Sequence, residues 1–154
     1  AFVETLKKDV EKVIKVAEKH DMKPAVRFNG TSDLPWEKVF PMGDFPQVMF
    51  YDYTKNPVRM ANFTQGKLPA NYHLTFSRSE ENETLALEVL AQGGNVAAVF
   101  ATKKGQDLPV RWKGFKIIDG DLDDVRFTDS TGVIVGLRAK GDAIKDQTGF
   151  VIQL

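Results

Sequence analysis

The chain reads as an α/β protein: an open parallel sheet, or a partial (half) β/α barrel, with crossover helices and an antiparallel β-rich appendage at its C-terminal end. Three observations predict this. Short apolar runs alternate with helix-like segments between residues 24 and 104, which is the mark of strands joined by helical crossovers. The spacing between runs, about 15–20 residues, is too long for hairpins and fits a helical return. Asn95-Val96-Ala97-Ala98-Val99-Phe100 is apolar at alternate and intervening positions alike, as in strands covered on both faces.

The elements follow in order. Residues 2–20 carry Val3, Leu6, Val10, Val13, Ile14 and Ala17 at three- and four-residue intervals, with lysines and glutamates between them. That spacing predicts an amphipathic helix within an N-terminal segment of residues 1–23. Pro24 stops it, because proline has no amide proton and disfavours helix at the preceding residue. Ala25-Val26-Arg27-Phe28 is the first strand, and Asp33 is placed to cap a short helix at Leu34-Pro35-Trp36-Glu37. Gln47 to Tyr51 is the second strand, followed by a short helix after Asn56-Pro57. Tyr72 to Phe76 is the third strand. It leads into Ser77-Arg78-Ser79-Glu80, which has the Ser-x-x-Glu spacing of a capping box. The helix that follows ends at Gly93-Gly94, where glycine permits a left-handed stop. Residues 105–154 are β-rich: strands at Phe115–Ile118, Val125–Phe127, Val133–Leu137 and Phe150–Ile152 are separated by Asp-Gly and Thr-Gly turns. No repeat or linker divides residues 1–154, so one domain is expected.

Composition removes several kinds of chemistry. The sequence has no cysteine and two histidines, His20 and His73. Thiolate metal sites, Fe–S clusters, disulfides and cysteine nucleophiles are excluded, and imidazole-rich metal sites with them. Lys plus Arg and Asp plus Glu each total 21, so there is no general basic footprint for nucleic acid, although a local patch is compatible with the total. No apolar run approaches the ~20 residues of a membrane span, and no secretory signal pattern is visible at the N-terminus. The expectation is a cytoplasmic protein with no membrane partner.

Ligands of parallel β/α proteins bind where strands end, because loops converge there and helix amino termini offer free amides. The residues following the strands are Asn29, Ser32 and Asp33; Asp52, Tyr53 and Lys55; Ser77 and Arg78; Thr102-Lys103-Lys104; and Asp119-Gly120-Asp121. Hydroxyls, amides and caps are ordinary in such loops. Tyr53 and Lys55 have no capping role, and they make Asn29, Ser32, Asp33, Asp52, Tyr53, Lys55, Ser77 and Arg78 the expected ligand-binding set. Lysine and arginine suit a phosphorylated ligand, a nucleotide or a nucleic-acid segment. Asp119 and Asp121, with Asp123 and Asp124 behind them, form the densest acidic cluster. They define an alternative: a metal-dependent hydrolase or nuclease, with Mg²⁺ or Mn²⁺ as the divalent cofactor held by oxygen ligands. A third reading is a structural protein that self-associates into a homo-oligomer through the apolar tail Phe150–Leu154. No Walker loop, Gly-x-Gly-x-x-Gly, Gly-x-Ser-x-Gly or His-x-Glu zinc signature occurs.

Six segments in order carry a resemblance: Arg27–Glu37, Phe50–Lys55, Asn71–Ser77, Asn95–Phe100, Ile118–Asp121 and Gly132–Leu137. Over roughly residues 25–152 the chain resembles an uncharacterised family carried by bacteriophages and mobile elements, the gene-product-eighty-eight type. That resemblance implies no activity; the mobile-element context adds weight to a role in nucleic-acid metabolism. Tyr53-Thr54-Lys55 after a strand is also distantly similar to radical-SAM-like phage half-barrels, whose cluster chemistry the lack of cysteine rules out.

Overall fold

The computed structural model describes residues 1–154. Its elements are α1 (Phe2–Lys19), β1 (Ala25–Val26), β2 (Met49–Thr54), α2 (Pro57–Thr64), β3 (Tyr72–Ser77), α3 (Glu83–Ala91), β4 (Val96–Phe100), β5 (Arg111–Trp112), β6 (Phe115–Asp119), β7 (Ile134–Arg138) and β8 (Val151–Ile152). They build one sheet in the order β1-β2-β3-β4-β7-β6-β5, with β8 also paired to β4. The sheet is open. All of its pairings are parallel except β5 with β6.

The C-terminal third therefore departs from expectation. It is not an antiparallel appendage: β6, β7 and β8 enter the main sheet parallel to their neighbours. The expected hairpin partner at Val125–Phe127 is a 3₁₀ turn, Arg126–Thr128, within the crossover that returns the chain from β6 to β7. It lays Phe127 against Tyr51 of β2, ring centres 5.6 Å apart. The Asp-Gly and Thr-Gly pairs thus punctuate crossovers rather than hairpins.

Alternation along β2 sends Phe50, Asp52 and Thr54 to the buried side and Met49, Tyr51 and Tyr53 to a half-buried one. Phe50 meets Phe28 and Phe40, and Phe40 meets Phe45, in an aromatic cluster at 5.0–5.7 Å that continues into Leu74 and Phe76. Burying one such ring contributes roughly 1.5–3 kcal/mol. Helix α1 adds Val10, Ile14 and Ala17 from the predicted stripe. Asn56 caps α2 by accepting from the amides of Val58 and Arg59, with Pro57 in its first turn. The expected capping box at Ser77–Glu80 does not form. Helix α3 starts later, after Asn82, whose Oδ1 accepts from the Ser79 amide at 2.7 Å and whose Nδ2 donates to Ser77 O at 2.9 Å.

The tail Phe150–Leu154 is engaged within its own chain. Strand β3 pairs with β4 only at Val96 and Ala97; beyond that point β8 pairs with Val99 and Phe100, while β7 occupies the other side of β4 throughout. Strand β8 thus fills the place that β3 leaves.

Candidate functional site

Parallel β1, β2 and β3 end side by side, and the loops leaving them enclose a polar cleft of about 260 Å³. Its walls include Asn29, Ser32, Asp33, Tyr53, Lys55 and Ser77, six of the eight side chains expected at a binding site from the sequence. Arg27, Gly30, Thr31 and Thr54 also line it. Arg27 was missed as a site residue although strand alternation carries the signal: Phe28 packs in the aromatic core, so its neighbour points the other way.

Beneath the cleft lies a chain of hydrogen-bonded polar side chains. Asp52 is 1% exposed and forms the floor rather than the wall. Its carboxylate accepts from the Asn29 amide at 3.0 Å, from Asn29 Nδ2 at 3.2 Å and from the Tyr72 hydroxyl at 2.6 Å. Asn29 Oδ1 in turn accepts from Ser32 Oγ, the Leu34 amide and Trp36 Nε1. One buried asparagine thereby sets the path of the loop after β1. Burial raises the Asp52 pKa above its ordinary value, opposed by the Tyr72 and Asn29 hydrogen bonds and the charge of Arg59. The Tyr72 hydroxyl also accepts from Arg59 Nη2 at 2.8 Å. Arg59 grips Glu37 through two parallel bonds of 3.0 and 2.9 Å and also pairs with Asp33.

Asp33 does not cap the short helix, which is a 3₁₀ turn at Trp36–Lys38 preceded by Pro35. Its carboxylate accepts instead from Thr54 Oγ1 at 2.8 Å and from the Lys55 amide at 2.8 Å. The loop after β1 is thus tied to the end of β2, and Asp33 shares Arg59 with Glu37. At the mouth, Arg27 donates to the Asn29 carbonyl and to Asp124, and it lies 4.8 Å over the Tyr53 ring. The Tyr53 hydroxyl donates to Asp124 at 3.4 Å; burial first, with Asp124 adding to it, pushes its pKa up to about 12. Lys55 makes no ion pair; its ammonium lies 6.0 Å from the Phe150 ring.

One member of the expected set, Arg78, falls elsewhere, as do Asp119 and Asp121 of the alternative metal reading. Arg78 is buried and does not line the cleft, and the anion it meets at the start of α3 is the chain's own Glu83. Its Nη1 donates to the carbonyls of Gly149 and Phe150 at 2.7 Å, and its Nη2 to Glu83 at 2.7 Å. It joins the end of β3 to the start of β8 and lies 5.7 Å over the Trp112 ring. Asp119 and Asp121 lie at the end of β6 and share one guanidinium: Arg138 Nη1 is 2.9 Å from Asp119 and 3.0 Å from Asp121. Lys140 reaches Asp121 at 3.1 Å. The Arg138 hydrogen bond lowers the Asp119 pKa, and bonds from Arg138 and Lys140 outweigh burial to lower that of Asp121. The acidic run is therefore divided: Asp123 pairs with Arg126 and Asp124 with Arg27, and no three His, Cys, Asp or Glu side chains stand together as a metal-holding group.

His73 is inside β3, as expected, edge-on to Phe63 at 5.0 Å. Burial, with Arg126 adding to it, lowers its pKa to about 4. The two tryptophans are packing residues: Trp36 lies on Phe28 at 4.8 Å and Trp112 on Phe100 at 6.5 Å. No helix is long and apolar enough to cross a membrane.

A family model described as Gene product 88 matches residues 1–154, extending the resemblance seen in the sequence through helix α1. The distant likeness to radical-SAM half-barrels finds no support in this match, nor in a sheet that stays open. No curated protein and no solved structure matches the chain.

Proposed function

The chain belongs to the gene product 88 family, and we propose that it is a binding domain whose cleft over β1–β3 holds a small phosphorylated ligand, such as a phosphosugar or the sugar-phosphate portion of a nucleotide or nucleic-acid end. The observation that carries this reading is the pairing of an unbalanced cation with a prebuilt polar wall. Lys55 faces the cleft with no carboxylate partner, whereas the one acidic wall residue, Asp33, is held by Arg59, a cation it shares with Glu37. Arg27 stands at the mouth already paired with Asp124, and Ser32, Thr31 and Ser77 supply hydroxyls. A phosphate needs charge-assisted donors of this kind. The volume, about 260 Å³, lies just under the usual range for sites that enclose drug-sized ligands, which favours the phosphate-bearing part of a ligand over a whole dinucleotide.

The hydrolase reading has less behind it, since Asp119 and Asp121 face Arg138 and Lys140, which hold the place a cation would take. The test is calorimetric titration with inorganic phosphate and ribose 5-phosphate. Lys55→Ala should weaken binding about tenfold, the worth of one charge-assisted contact. It should leave the melting temperature nearly unchanged, because the exposed Lys55 side chain makes no ion pair and meets only the Phe150 ring at 6.0 Å. Absence of binding to wild type, or equal binding by Lys55→Ala, would remove the proposal.

A further inference from the structure

A second cavity stands over the ends of β4 and β7, remote in sequence from the residues of the cleft. It measures about 470 Å³ and is lined by Ala101, Thr102, Lys103, Lys104, Lys140 and Ile144 among others. An adjoining hollow of about 360 Å³ shares Lys104 and Lys140 and opens toward Arg138. Three features set this place apart from an ordinary loop crevice.

The first is charge. Three lysines converge from two separate strand ends. Lys140 is held by Asp121 at 3.1 Å, while Lys103 and Lys104 form no ion pair. Two positive charges at one wall are thus left without a counter-charge. The second is an apolar wall. Ile144, on the 3₁₀ turn Gly141–Lys145, is 69% exposed, and Ala101 and Ala139 extend its carbon surface along the same cavity. An isoleucine left this open beside uncompensated ammonium groups is the pattern of a site for a ligand with a flat apolar body and an anionic end. The third is Thr102. It is 3% exposed, lines the cavity, and its Oγ1 has no hydrogen-bond partner. Buried hydroxyls nearly always find a partner, and a ligand seated against this wall would bring one.

From these we infer that the cavity bounded by Thr102, Lys103, Lys104, Lys140 and Ile144 is a second binding site, for a phosphate carried beside an aromatic ring, as in a nucleoside monophosphate or a residue of single-stranded nucleic acid. The ring lies on Ile144 and Ala101, the phosphate meets Lys103 and Lys104, and Thr102 bonds a polar atom at the floor. Lysine recognises phosphate by charge, and the carbon surface of Ile144 and Ala101 meets a ring face by van der Waals contact. Nothing in this assignment depends on Lys55 or the first cleft.

The experiment is a titration of the full chain with adenosine 5′-monophosphate and, in a parallel arm, a short single-stranded oligothymidylate, read by calorimetry and by backbone amide chemical shifts. Binding should shift the amides of Ala101, Ala139 and Ile144. Lys104→Glu, at a solvent-facing position, should weaken it at least about tenfold, by losing one charge contact and gaining a repulsion. Thr102→Val should weaken it several-fold with an unchanged circular dichroism spectrum. Lys55→Ala should leave it unaltered, and adenosine alone should bind more weakly than its phosphate. Preference for the mononucleotide or for the strand identifies the source of the phosphate; either, with the Lys104 dependence, supports the site. No response to either ligand overturns it, as does equal binding by wild type and Lys104→Glu. Binding lost in Lys55→Ala but kept in Lys104→Glu would put the nucleotide in the first cleft, ending the second site while leaving the first reading in place.

Discussion

Arg59→Met is the sharpest probe of the floor of the cleft. The guanidinium is 5% exposed, and its main partner, the Glu37 carboxylate, is 6% exposed. Burial works against the Arg59 charge, but the hydrogen bond and charge of Glu37, with Asp33, more than restore it. Methionine keeps much of the volume and none of the donors. Glu37 is then left buried without a cation, Asp33 keeps only Thr54 and the Lys55 amide, and the Tyr72 hydroxyl loses its donor. Removing one member of a buried pair costs about 3–5 kcal/mol, mostly the desolvation of the charge left behind. For a chain of this length each kcal/mol moves the melting temperature by about 2–4 °C, so a fall of roughly 6–20 °C follows. Urea unfolding of Arg59→Met, Glu37→Gln and the double variant closes a thermodynamic cycle. The double variant should recover a large part of the loss, because the orphaned carboxylate is then gone. A single-variant loss below about 1 kcal/mol, the range of exposed pairs, would refute the claim that this pair is buried and organises the loop.

Three further outcomes follow. Arg78→Leu should cost on the order of 2–3 kcal/mol and release β8 selectively, since the carbonyls of Gly149 and Phe150 lose their shared donor; amide exchange over residues 149–154 should accelerate well before that of β4. His73 makes the protein lose stability on acidification. Its folded pKa, about 4, is below its unfolded value, so the unfolded chain binds more protons between about pH 6.5 and 4, and stability falls as pH drops through that window. Asp52, whose folded pKa is raised, acts with the opposite sign just above its ordinary value, so His73→Phe should flatten the decline, as urea midpoints across this range would show. Gly136→Ala places a Cβ 2.6 Å from Ile117 Cγ2 and 3.3 Å from the Ile118 carbonyl, whereas Gly30→Ala meets nothing within 4 Å. The first should cost about 1–3 kcal/mol by overpacking and the second almost nothing; equal melting temperatures for the two would contradict the packing of β7 against β6.

What was legible in the sequence was local or periodic. The stripe of Val10, Ile14 and Ala17, the Asn56-Pro57 start of α2, and the two-faced apolar character of Val96–Phe100 each reflect a preference of nearby residues for one backbone geometry, which survives whatever packs around it. The six cleft residues were legible for a related reason: once strands run parallel, their outgoing loops share one rim. Three features were set only by packing across the sheet. Strands 115–119 and 134–138 carry the same apolar pattern whether they pair as a hairpin or as a parallel crossover; the choice was made by Arg126–Thr128 crossing over Tyr51. Arg78 has the same chemistry at an anion site as at a carbonyl clamp, and the arrival of β8, more than seventy residues later, decided between them. The aspartates after β6 were a metal cluster by composition. Arg138 and Arg27, brought in from two other parts of the chain, and Arg126 from the same turn divided them, because each carboxylate binds the nearest guanidinium that the fold delivers.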